Sequence, residues 1–218
     1  MEKVQIFIDA GNLHHLALKI LKIKESNFLF NEFAEFLANN RELTSMGKRF
    51  YVGTVREQVN NPKSKESMAQ QVRLLARLRL AGWETKTSKL CLREERVNID
   101  ERTKNYTDIL NKGITYIEYQ RFREKGIDVK IATDLIVGAV DNQYDTAIVV
   151  SSDSDLIPAF DWIRRRYNKK VEYVGFSIID DSEKNQNTKP SQAMIGRTDI
   201  QRILVKSDLE KFIQKVLI

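Results

Sequence analysis

Cysteine occurs once in this chain of 218 residues, at Cys91, so no intrachain disulfide and no cysteine metal cluster can form. Histidine occurs twice, at the adjacent positions His14 and His15, and neighbouring helix positions do not share a face. Both facts argue against a histidine metal site and a Ser-His-Asp triad. No apolar run is long enough to span a bilayer, and the opening MEKVQIFID reads as a strand rather than a signal peptide. The expectation is a cytoplasmic protein with no membrane partner. Neither a P-loop nor a GxGxxG turn is present, which argues against nucleoside triphosphate or dinucleotide binding.

The composition is that of a globular domain. Hydrophobic residues make up 42% and charged residues 30%, enough for one sizeable core within a solvated surface. The formal net charge is +6 and the pI about 9.3. The excess is localised: residues 60–125 hold 15 lysines and arginines against 9 acids, while the remainder is balanced. A basic middle in a neutral chain points to a polyanionic partner, with an ordinary mixed-charge surface as the plain alternative.

Strand and helix patterns alternate along the chain. VQIFID (4–9) reads as a strand, followed by a helix carrying Leu13, Leu16, Ala17, Ile20 and Leu21 at helical spacing. A helix over 30–39, a strand over 49–57 and a long helix over 65–81 come next. The last presents Met68, Val72, Leu75 and Leu78 inward and Arg73, Arg77 and Arg79 elsewhere. Residues 83–93 read as a strand, 94–113 as a polar insertion forming a loop or hairpin, and 114–122 as a further strand or part of that hairpin. A helix follows from about 128, with Asp128 as its N-cap and Val129, Ala132, Leu135, Ile136, Ala139 and Val140 on one side. Then come a buried strand at 147–150, a helix, a strand over 171–178, a polar loop through DDSEKNQNTKPSQ, a strand over 202–206 and a helix capped by Ser207. The expected architecture is a single-domain, three-layer α/β/α fold with a mainly parallel central sheet, PIN-like or Rossmann-like. Its core spans about 3–177, and a strand–helix extension covers 178–218. Right-handed crossovers gather the strand exits along one edge.

That edge collects acids. Asp9 ends the first strand, and AIVVSSDSDLIPAF (147–160) runs a buried strand directly into Asp153 and Asp155, which an extended backbone would aim the same way. Asp134 joins them from the helix before. Each has a bland reading: Ser154 or Asp155 caps the next helix, and Asp134 forms an exposed pair with Lys130. Four carboxylates on three elements nevertheless raise one another's pKa values unless something positive lies among them. An all-oxygen set selects Mg²⁺ or Mn²⁺ over Zn²⁺. Such an ion holds a phosphate and activates water for in-line attack. With the basic middle, this chemistry suits phosphodiester hydrolysis of a nucleic acid.

FIDAGNL, EKGIDVKIATDL and IVVSSDSDLIPAF, in that order, resemble the NYN domain, the LabA-like branch of the PIN-like ribonuclease superfamily, over roughly residues 3–177. The resemblance implies an acidic cleft binding Mg²⁺ or Mn²⁺ and endoribonuclease activity. By motif, Asp9, Asp134 and Asp153 are the expected catalytic metal ligands, and Asp155 is a ligand through water or a general base. Asn12, Asp128 and Ser151 are expected to support them and Lys125 to contact phosphate. From the basic excess of the 65–81 helix, and not from the motifs, Arg73 and Arg77 are expected to bind substrate. Ser152 stands where a glycine is common, and the 94–113 insertion is longer than a minimal domain needs. Single-stranded RNA is the expected partner, with Tyr106, Tyr116, Tyr119 and Phe122 as candidate stacking platforms or simple packing. A homodimer is also compatible. The competing readings are a non-catalytic module that binds RNA or protein, and a small-molecule phosphoester hydrolase. The second lacks the DxDx[TV] strand end of haloacid-dehalogenase phosphatases, since Asp9 is followed by Ala10 and Gly11.

Overall fold

A computed structural model describes residues 1–54, 62–124, 126–180 and 187–214. Seven strands form one sheet in the order β4-β3-β2-β1-β5-β6-β7. They are β1 (Lys3–Asp9), β2 (Glu42–Thr54), β3 (Glu84–Asn98), β4 (Tyr116–Glu124), β5 (Thr146–Val150), β6 (Lys170–Phe176) and β7 (Ile200–Leu204). All neighbours run parallel except β4, which pairs antiparallel with β3. The central strands are buried on both faces, as a parallel sheet between helical layers requires.

β1 shows how the two layers arise. Ile6 and Ile8 face one core, where they meet α1 (Ala10–Leu13), α2 (Phe30–Ala38) and α3 (Pro62–Leu80) through Leu13, Phe33, Leu74 and Leu78. Phe7 faces the other, with α5 (Ile127–Val140) and α6 (Ile157–Tyr167) supplying Ile131, Leu135 and Phe160. The period of two places Asp9 on the same side as Phe7, toward α5.

Several expected boundaries move. α5 starts at Ile127 with Gly126 as its N-cap in a left-handed conformation (φ +89°), so Asp128 lies inside the first turn rather than capping it. Its inward positions are Ile127, Ile131, Asp134, Leu135, Gly138 and Ala139, whereas Val129 and Val140 are exposed. A Cβ on Gly138 would come within 2.7 Å of the Tyr144 ring, so this glycine admits a side chain rather than another backbone. In α3 the inward residues are Leu74, Leu75 and Leu78, and Val72 faces solvent.

The polar insertion is a hairpin. β3 continues to Asn98 and pairs with β4 from Leu90↔Glu124 to Asn98↔Tyr116, with the short α4 (Tyr106–Asn111) between them. Beyond β6, β7 adds a parallel strand to the same sheet. Ser207 lies within α7 (Lys206–Leu209), whose N-cap is Val205, because Asp208 accepts the Val205 N–H at 3.1 Å. The expected strand residues 55–57 and residues 181–186 of the polar loop lie outside the described residues.

Candidate active site

Parallel pairing of β1 with β5 sets Ile8 opposite Val150, which leaves Asp9 and Ser151 side by side at the two strand exits. Ser151 Oγ donates to Asp9 Oδ2 at 3.3 Å and accepts the Asp153 N–H at 3.2 Å. Asn12 closes the arrangement. Its N–H and Nδ2 donate to the two Asp9 oxygens at 3.1 and 2.6 Å, and its Oδ1 accepts the Ser152 N–H at 3.1 Å. One amide thus orients the buried Asp9 carboxylate and ties it to the β5 exit. Burial pushes the Asp9 carboxyl above the usual range, against the lowering effect of these donors.

The extended backbone ends at Val150, so Asp153 and Asp155 do not alternate along a strand. Asp153 instead caps a 3₁₀ turn, Ser154–Leu156, and accepts the Asp155 N–H at 2.9 Å. Asp155 is exposed and Asp153 half-buried.

From the opposite layer, α5 brings Asp128 to the same place. Its carboxyl is pushed up to about 6, first by burial, then by the charges of Asp153, Asp9 and Asp155 and by a hydrogen bond with Asp153. Two carboxyl groups in hydrogen-bonding contact need a shared proton or a cation between them. Asp9, Asp128, Asp153 and Asp155 are therefore one electrostatic group, drawn from the β1 exit, the start of α5 and the β5 exit.

Asp134 is engaged elsewhere. It lies six residues beyond Asp128, about 9 Å along the helix and on a different side. Its oxygens accept Tyr51 Oη and Lys86 Nζ, each at 2.7 Å, with Arg49 Nη1 at 3.8 Å. Glu84 completes this cluster through Arg49 and Lys86 at 3.2 and 3.3 Å. Lys130 does not pair with Asp134 but donates to the Thr87 carbonyl.

The basic residues divide too. Arg77 donates to the carbonyl of Ser26 at 2.7 Å, which joins α3 to the turn after α1, while Arg73 is exposed. Lys125 and the Phe122 side chain lie outside the described set. Tyr106, Tyr116 and Tyr119 are exposed on the hairpin; Arg96 stacks on Tyr116 at 3.6 Å and Tyr119 donates to Glu95 at 2.9 Å. Tyr173, which no motif suggested, meets Ser152 Oγ at 2.8 Å and accepts the Ser191 N–H at 3.0 Å, bracing the turn that carries Asp153. Its signal lies only in the register of β6 beside β5.

The donor set suits a hard divalent ion, since every carboxylate in the group offers oxygen and the charges of Asp153, Asp9 and Asp155 all raise Asp128. Among the described residues, no three acidic, histidine or cysteine side chains converge at coordinating distance as they stand. No helix among the described residues is long and apolar enough to cross a membrane.

A mainly parallel α/β sheet with acids gathered at its central strand exits fits the expected PIN-like class. The chain belongs to the NYN domain family, whose model matches residues 3–195. NYN domains are of PIN-like nuclease type and generally act on RNA, which places the chain with nuclease-type enzymes at the level of the family. The chain shows no significant similarity to any curated protein. It is similar to a crystallised protein of unknown function from Vibrio parahaemolyticus, with 23% identity, 93% of each chain covered and a TM-score of 0.49.

Proposed function

We propose that this protein is a metal-dependent endoribonuclease that cleaves single-stranded RNA at the Asp9–Asp128–Asp153–Asp155 group. The observation that carries this reading is the run of hydrogen bonds from Asp9 through Ser151 to the Asp153 turn, with the Asp128 carboxyl near enough to be raised by the charges of Asp153, Asp9 and Asp155. Mg²⁺ or Mn²⁺, held by Asp9, Asp128 and Asp153, would supply Lewis-acid stabilisation of the phosphate and activation of the attacking water. Asp155, exposed beside the turn that Asp153 caps, would act as the general base or as a ligand through water. Asn12 and Ser151 keep Asp9 aimed at the group. Asp134, expected from its motif to be a ligand, is here assigned to positioning: it holds Lys86 and Tyr51 and fixes α5 against β2 and β3. A homodimer in the cytoplasm completes the sequence-based proposal, and sedimentation of the purified protein checks the dimer.

The test is cleavage of a labelled single-stranded RNA with Mn²⁺, with Mg²⁺ and with EDTA, wild type beside Asp153→Asn and Asp134→Asn. Cutting should require metal and vanish in Asp153→Asn. Asp134→Asn should keep measurable cutting at reduced thermal stability. Cutting that survives Asp153→Asn would remove the site assignment, and complete loss in a well-folded Asp134→Asn would return Asp134 to the ligands.

A further inference from the structure

Beside the acidic group, across Ala10 and Gly11, a cleft of about 650 Å³ opens between the first helix and α3 at the exits of β1 and β2. That size falls within the roughly 300–1,000 Å³ of small-molecule sites. Buried Leu18, Ile23 and Leu74 form apolar wall, and Ser67 and Gln70 add a polar edge. Glu25 is its one acid among the described residues, and it stands 3.0 Å from His14 Nδ1. Against it the same lining carries Lys19, Lys22 and Lys24, all exposed and none in an ion pair with an acid among the described residues. The cleft therefore favours an anion at its rim and an apolar, planar group within.

The backbone here departs from a regular helix. α1 passes into a π-helical turn, His14–Leu18, in which the Lys19 N–H reaches the His14 carbonyl at 2.9 Å. Such turns are rare and are frequently found at functional sites. The segment ends at Lys22, a non-glycine residue at φ +56°. Insertion of the extra residue brings His14, His15, Leu18 and Lys19 together on the cleft. His15 is exposed, packs edge-to-face on His14 with ring centroids 5.1 Å apart, and lies close enough to Asp9 to feel its charge. Histidine rings serve as stacking partners for unpaired bases.

We propose that this cleft is a nucleotide subsite: it receives the base of the ribonucleotide adjoining the scissile phosphate, with that nucleotide's phosphate on the lysine rim. The assignment rests on the nuclease reading above, because it takes Asp9 as the neighbour of the cut. The base lies against Leu18, Ile23 and Leu74 and stacks on His15. Lys19, Lys22 and Lys24 neutralise backbone phosphate, so the RNA strand crosses the sheet edge from the α1–α3 layer to the α5 layer over Gly11. These lysines come from the N-terminal part of the chain, not from its basic middle.

The experiment is equilibrium binding of a fluorescent short oligouridylate in EDTA, where no cleavage intervenes. Lys19→Glu/Lys22→Glu should weaken binding on the order of tenfold or more and flatten the log–log salt slope by about 1.4. Ser67→Trp, at an exposed position on the cleft edge, changes no charge and should also weaken binding, because the indole fills the space for the base. Unchanged binding in both variants overturns the subsite. Loss in the lysine variant alone overturns it as well, since a bare basic patch would suffice. Wild-type cleavage with Mn²⁺, measured in parallel, separates the two proposals. Cutting with variant-insensitive binding leaves the nuclease and removes the subsite. Variant-sensitive binding without cutting keeps the cleft as an RNA-base site and removes the nuclease.

Discussion

Asp128 concentrates the electrostatics of the site. A carboxyl held at about 6, above an ordinary 3.8, keeps its proton longer in the folded state than in the unfolded chain. The native protein then binds more protons between about pH 4 and 6, so stability falls as pH rises through that window. Above it the full repulsion remains unless a cation enters. Thermal midpoints should therefore be higher near pH 5 than at pH 7 in EDTA, and Mn²⁺ should raise the midpoint at pH 7. Asp128→Asn should raise the metal-free midpoint at pH 7 and abolish the response to Mn²⁺. A midpoint unchanged by the substitution, by pH and by Mn²⁺ would show that the four acids do not repel one another.

Among the elements, α3 carries two arginines with different work. Arg77 bonds the Ser26 carbonyl and so fastens α3 to the turn that borders the cleft. A charged hydrogen bond of this kind contributes about 1.5–3 kcal/mol when buried and less at this exposed position. Arg77→Glu should lower the thermal midpoint measurably, while Arg73→Glu should leave it within error. If Arg73 meets RNA, its reversal reduces the salt slope of binding by about 1. Circular dichroism melts and anisotropy titrations decide both. The α5 pattern teaches the same lesson in reverse: Asp134 shares the inward stripe of Ile127, Ile131 and Gly138. It tolerates burial because Tyr51, Lys86 and Arg49 wait for it on the sheet, and none of those partners is near it in sequence.

For the molecule as a whole, Glu172 links distant parts of the chain. It is 1% exposed in β6 and sits between Arg41 Nη2 at 2.7 Å and Arg202 Nη2 at 2.6 Å. The first arginine follows α2 and the second belongs to β7, so one buried carboxylate ties the C-terminal strand to the opposite end of the sequence. Breaking a fully buried pair from one side costs about 3–5 kcal/mol, and less here because both arginines keep some contact with solvent. Glu172→Gln should lower stability measurably, by less than that full figure, in urea titration. Unfolding should stay a single transition if β7 belongs to the common core, and a separate early transition would show that β7 docks independently.

The sequence by itself determined the alternation of strands and helices, the parallel sheet and the family, because hydrophobic period and motif order are local properties of the chain. It also determined that acids stand at strand exits: Asp9, Asp153 and Asp155 are adjacent to the buried runs that place them. The tertiary structure decided which acids meet. Asp128 meets the group since α5 begins two residues earlier than a capping aspartate would require, and Asp134 faces the sheet instead, where Lys86 and Arg49 pair with it and Tyr51 donates a hydrogen bond. The cleft lined by His14, Lys19 and Leu74 likewise depends on a π turn and on the packing of α3 across from it. Helix phase and long-range pairing set these positions, and neither is written in the spacing of neighbouring residues.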